Sequence, residues 1–136
     1  METGRLDHIG IVVRDLDEAA SALQRAFGTT REDVADPGGG RLRIAFVQFQ
    51  LGEVELIQPL SAEHPIGRWL SERGPGIHHV AVRVDDAKAE HERLVGCGFK
   101  PIDAAPRPGV RGSLIAYFEP ASFAGALFQI VSGGKQ

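Results

Sequence analysis

At 136 residues the chain has room for one compact domain. A chain of this size buries roughly two-thirds of its unfolded surface, so it needs neither disulfides nor metal to hold a core. Fifteen basic residues against eighteen acidic give a net charge of −3, with no basic stripe, which argues against a nucleic-acid binder. The lone Cys97 has no partner in the chain, no apolar run approaches the ~18 residues of a membrane span, and no signal or lipidation motif is visible; a soluble cytoplasmic protein is expected.

In chain order, residues 6–13 form an apolar, branched run that predicts a strand, with Ile9, Ile11 and Val13 on one face and His8, Gly10 and Val12 on the other. Asp15 or Asp17 caps a helix in which Ala19, Ala20, Leu23, Ala26 and Phe27 recur at helical spacing, and Gly28 stops it. Residues 29–40 are polar and read as a turn or loop through Asp36-Pro37-Gly38-Gly39-Gly40. Two strands follow, at about Leu42–Gln50 and Val54–Gln58, joined by a short hairpin-like link at Leu51-Gly52-Glu53. His64-Pro65 then opens a short connector helix that Gly74-Pro75-Gly76 ends.

The second half repeats the plan. A strand at 77–84 precedes a helix from about Asp86 to Val95 and a short strand near Lys100–Ala104. A Pro/Gly loop at 106–112 leads to strands at 113–118 and 126–131. Aligning His8 with His79 sets Asp15 opposite Asp86 and Leu23 opposite Leu94. The expectation is an α+β domain over residues 1–136, built of two βαβββ modules at about 5–60 and 76–132 whose sheets pair around a shared cleft.

Four polar side chains occupy matching places in that plan. His8 and His79 lie on the first strand of each half, and Glu55 and Gln129 interrupt the otherwise apolar last strands. A carboxylate and an amide inside a sheet need partners, because burying either one unpaired costs several kcal/mol. Each residue alone is most simply a hydrogen-bonded interior or edge residue. All four at repeat-related positions point instead to a divalent metal site of two imidazoles, one carboxylate and one amide oxygen. Such a donor set suits Zn²⁺, Mn²⁺, Co²⁺, Ni²⁺ or Fe²⁺. Arg83 shares the face of His79 and is a candidate anion ligand, with a surface salt bridge as the alternative; His64, His78 and His91 are read as surface or packing residues.

Leu6-Asp7-His8-Ile9-Gly10, Glu55-Leu56-Ile57-Gln58-Pro59-Leu60, Gly76-Ile77-His78-His79-Val80-Ala81, Pro106-Arg107-Pro108-Gly109 and Gly125-Ala126-Leu127-Phe128 together span nearly the whole chain. On these stretches it resembles the vicinal-oxygen-chelate superfamily of glyoxalases, extradiol dioxygenases and bleomycin resistance proteins, most of all its methylmalonyl-CoA epimerase branch. The resemblance implies paired βαβββ modules, frequently a homodimer, with a divalent metal held by His8, Glu55, His79 and Gln129. It implies epimerisation of a 2-substituted malonyl-CoA through an enediolate, with Glu55 and Gln129 as the candidate catalytic positions. Epimerases usually carry a glutamate where Gln129 stands. A second expected glutamate falls near Arg43, which thereby becomes a candidate substrate-binding residue. The usual His-Pro-Lys is replaced by Glu119-Pro120-Ala121.

Gln129 can ligate through its oxygen but cannot take a proton, so Glu55, Glu119 or a metal-bound water would have to act as the base; a glyoxalase-like isomerase or lyase acting on a small oxygenated molecule is the second expectation. A non-catalytic ligand-binding module ranks third, because one Trp and one Tyr offer little stacking surface.

Overall fold

A computed structural model describes residues 3–134, which divide into two units: His8–His78 form one, and the rest of the described chain forms the other. In the first unit, β1 (Arg5–Val12) enters and is followed by α1 (Leu16–Phe27), β2 (Thr30–Val34), β3 (Leu42–Gln48), β4 (Glu53–Pro59) and α2 (Pro65–Arg73). The strands are ordered β2-β3-β4-β1, with β1 and β4 parallel and the other pairs antiparallel. Asp15 starts α1 by accepting the Glu18 N–H at 3.0 Å, and Gly28 ends it with φ at 67°. Leu16 and Ala20 of α1 pack on Ala45, Val47 and Leu56, with Ile11, Val13 and Leu23 alongside. Strand alternation therefore turns the other set of side chains, on β1, β3 and β4, away from the helix.

The second unit contains β5 (Gly76–Arg83), α3 (Ala87–Gly96), β6 (Arg107–Pro108), β7 (Ser113–Phe118) and β8 (Phe128–Gly133). Their order is β5-β8-β7-β6, and β5 runs parallel to β8. Asp86 caps α3 by accepting the Ala89 N–H at 3.1 Å, the counterpart of Asp15. Ala87 and Leu94 of α3 cover Ala116, Phe118 and Ile130, and Phe99 stacks on Phe123 with ring centroids 5.1 Å apart.

Two segments differ from the sequence reading. Residues 30–34, a polar stretch given no strand of its own in the sequence reading, pair in full register with β3. Thr-Arg-Glu-Asp-Val carries almost no apolar signal because β2 is an edge strand, where charged side chains protect the open ladder. No strand forms over 100–104: Pro101 makes one isolated bridge to Phe118, and the edge strand is the two-residue β6. Proline has no N–H for a ladder, and the Ile102 and Asp103 amides converge on one acceptor, the Tyr117 carbonyl, at 2.9 and 3.4 Å. The hairpin link at 51–53 forms as expected, closed by the Phe49 amide on the Gly52 carbonyl at 3.1 Å, with Gly52 at a φ of 89°. No described helix is long and apolar enough to cross a membrane.

Candidate functional site

In the first unit, the face turned away from α1 carries His8, Gly10 and Val12 from β1, Glu55 and Ile57 from β4, and Ile44 and Phe46 from β3. Register fixes the neighbours of Glu55: Gly10 stands opposite it on β1 and Phe46 opposite it on β3. Glycine at position 10 leaves room beside the carboxylate. His8 Nε2 lies 3.4 Å from Glu55 Oε1, with both residues buried. The Phe46 ring meets His8 edge-on, at a centroid distance of 5.4 Å and an interplanar angle of 88°.

The second unit builds the same arrangement from different side chains. Gln129 on β8 stands between Ala81 on β5 and Tyr117 on β7. His79, two residues before Ala81, is buried, and the Tyr117 ring meets it edge-on at 5.4 Å and 86°. The Tyr117 hydroxyl lies 3.5 Å from His79 Nδ1. Gln129 is 4% exposed, and its Oε1 has no hydrogen-bond partner. A buried acceptor left in that state costs about 1–3 kcal/mol, so the position is one where a donor or a cation is owed.

The predicted residues thus fall into two half-sites of one design, His-Gly-Glu-Phe and His-Ala-Gln-Tyr. Each holds a buried imidazole and an oxygen donor in the same register. The sequence reading named the histidines and the oxygen donors as candidates and did not name Phe46 or Tyr117. Their partnership depends on β3–β4 and β7–β8 register, and the only advance signal was that Tyr117 is the chain's single tyrosine.

Both candidate arginines are engaged elsewhere. Arg83 is 8% exposed; its Nε donates to Asp7 Oδ1 at 2.6 Å and its Nη1 to the Gly133 carbonyl at 3.1 Å. Arg83 and Gln129 also line a recess of about 1100 Å³ shared with Phe123 and Phe128. Arg43 has the same strand parity as Ala45 and Val47, so it lies on the α1 side of the sheet, opposite His8 and Glu55. There it makes a two-pronged pair with Asp17, at 3.1 Å on each arm. Its neighbour Ile44 lies on the His8 face, opposite Ile57 of β4. Arg43 first, and Arg31 beside it, hold the Asp17 carboxyl below its ordinary value.

The remaining histidines act structurally. His64 caps α2, its Nδ1 accepting the Ile66 N–H at 3.0 Å. His91 is buried on α3, with Nε2 2.8 Å from the Asp103 carbonyl oxygen, and His78 meets Trp69 edge-on at 5.2 Å.

Residues 7–117 match the Glyoxalase/Bleomycin resistance protein/Dioxygenase superfamily. An uncharacterized protein of Bacillus subtilis, YqjC, is 32% identical over 93% of this chain and 90% of its own length. The ethylmalonyl-CoA/methylmalonyl-CoA epimerase of Cereibacter sphaeroides is 30% identical over 93% of this chain and 96% of its own. The crystal structure of methylmalonyl-CoA epimerase from Mycobacterium tuberculosis superposes with a TM-score of 0.87 at 30% identity, covering 96% of this chain and 88% of that one.

Proposed function

The chain belongs to the glyoxalase/bleomycin resistance protein/dioxygenase superfamily and has its glyoxalase-like α+β fold, and from that premise we propose that it is a metal-dependent epimerase of a 2-substituted malonyl-CoA of the methylmalonyl-CoA type. The observation that carries the reading is the repeated register: His8 with Gly10 opposite Glu55, and His79 with Ala81 opposite Gln129. Relatives named as epimerases of these thioesters support the substrate class. A homodimer in the cytoplasm, as frequent in this family, belongs to the same reading.

The donor set fits a divalent cation. His8, Glu55, His79 and Gln129 supply two neutral nitrogens, one carboxylate and one amide oxygen, and the orphaned Oε1 of Gln129 is the atom that most needs a cation. When bound, the ion acts as a Lewis acid toward the thioester carbonyl, lowering the cost of removing the α-proton.

The rest falls to the chain. Glu55 is the carboxylate of the set and takes the α-proton: the C–H bond breaks, a carboxyl O–H forms, and the electron pair passes to the enediolate oxygen. Gln129 has no proton to trade at physiological pH, so its part is to hold and orient. Inversion requires a proton from the opposite face, which we assign to solvent water. The aliphatic Ile44 and Ile57 and the ring of Phe46 share the sheet face of Glu55, which is itself buried. Arg83 and Arg43 take structural roles, bound to Asp7 and Asp17.

Incubating Co²⁺-loaded protein with one epimer of methylmalonyl-CoA, and separating the two diastereomers over time, tests the proposal. Appearance of the second epimer at a rate abolished by chelation is expected; an unchanged substrate with stoichiometric metal would sink it. Gln129 at one expected glutamate position and Arg43 near the other favour a second reading, a glyoxalase-like isomerase or lyase acting on a small oxygenated molecule. Turnover of a hemithioacetal with no action on the thioester selects that reading.

A further inference from the structure

The two half-sites differ at three places: Gly10 against Ala81, Glu55 against Gln129 and Phe46 against Tyr117. On His8 the neighbouring oxygen donor is a carboxylate, and the edge-on ring is Phe46, which has no polar group. On His79 the donor is an amide and the edge-on ring is Tyr117, whose hydroxyl lies against Nδ1. An imidazole that ligates a metal through one nitrogen needs its other N–H held by an acceptor, which fixes both tautomer and ring orientation.

We propose that Tyr117 is the positioning residue for His79: its hydroxyl oxygen accepts Nδ1–H and so directs the ring proton to Nδ1, making Nε2 the ligating nitrogen. This rests on His79 being a ligand in the proposed site. The role belongs to this half-site because Phe46, the ring that meets His8 in the same edge-on way, carries no hydroxyl.

Tyr117 is itself built into place. Its backbone N–H donates to Asp103 Oδ2 at 2.7 Å, while Asp103 Oδ1 accepts Arg107 Nε at 3.0 Å. The Arg107 guanidinium carbon stands 5.8 Å from the Tyr117 ring centroid, a cation–π distance. Asp103 in turn is anchored through its carbonyl oxygen, 2.8 Å from the buried His91 Nε2. The chain from α3 through Asp103 and Arg107 to Tyr117 therefore has at each step a contact that fixes the ring, and its last polar atom meets His79. The Pro106-Arg107-Pro108-Gly109 loop thereby acquires a physical role, since Arg107 presses on the face of the ring that orients a ligand.

The test is a long-range ¹H–¹⁵N correlation on metal-free protein labelled at histidine nitrogens, at about pH 8, where ordinary imidazoles are neutral. In the wild type, His79 is expected with Nδ1 protonated and Nε2 bare. Tyr117→Phe recreates the ring of the Phe46 half-site, so folding is retained; His79 should move to the Nε2–H form, and Zn²⁺ affinity should fall about tenfold. A wild type already carrying its proton on Nε2 overturns the assignment without any variant, as does a Tyr117→Phe protein whose His79 tautomer and Zn²⁺ affinity match the wild type. Wild-type protein that binds no Zn²⁺ overturns the metal reading of the site, while the tautomer comparison still decides the role of Tyr117.

Discussion

Gln129→Met separates the folding cost of the site from its ligand role. The amide oxygen at 129 is buried with no partner in the metal-free chain. Such an acceptor costs about 1–3 kcal/mol, and methionine replaces the side chain at nearly constant volume. The metal-free variant should gain about 1 kcal/mol, the low end of that range, or roughly 4 °C in Tm for a domain of this length. Metal reverses the order. An ion at a hundred times its Kd stabilises the wild type by about 2.7 kcal/mol, and tenfold weaker binding to the variant forfeits about 1.4 kcal/mol of that. Urea unfolding in EDTA and again with excess Zn²⁺ reads both effects. The variant should be the more stable protein in EDTA and the less stable with metal. A variant more than about 1 kcal/mol weaker than the wild type in EDTA would refute the orphaned oxygen, and equal metal stabilisation of both would remove position 129 from the ligand set.

Glu55→Gln discharges the one carboxylate of the set; Zn²⁺ affinity should fall at least tenfold and epimerisation at least a hundredfold, measured by calorimetry and turnover. Arg83→Leu leaves the Asp7 carboxylate without its guanidinium and should destabilise by about 3 kcal/mol. Adding Asp7→Asn should recover much of that loss in urea melts, and KM of the folded double variant should stay unchanged. His64 supplies a pH dependence: burial, then the charge of Arg41, pushes its imidazole below the ordinary 6.5. Between that lowered value and 6.5 the unfolded chain holds more protons than the folded one, so stability is full above 6.5 and falls as pH drops through the window. His64→Ala should cost about 1 kcal/mol at neutral pH by removing the α2 cap and should flatten that part of the profile.

Where apolar period and capping chemistry coincide, the fold was legible in advance. Asp15 and Asp86 head their helices as expected, and alternation along β1 and β5 gave the correct faces for His8 and His79. The candidate site residues stood out for a related reason: Glu55 and Gln129 are polar in strands that otherwise carry apolar side chains. What was not legible depends on partners distant in sequence. Residues 30–34 look like a loop because an edge strand has no hydrophobic face to display. Arg83 looked available for substrate because its partner Asp7 lies on a strand 76 residues away. Arg43 looked available for substrate because its partner Asp17 lies 26 residues away, on the helix side to which strand parity turns it. Phe46 and Tyr117 became visible only once register set each beside its histidine.

Proton NMR of methylmalonyl-CoA in D₂O with the Co²⁺-loaded protein tests the central claim most directly. The account predicts that the α-proton signal disappears at a rate that collapses on chelation and in Glu55→Gln. Persistence of that signal, with one equivalent of metal bound, would contradict it.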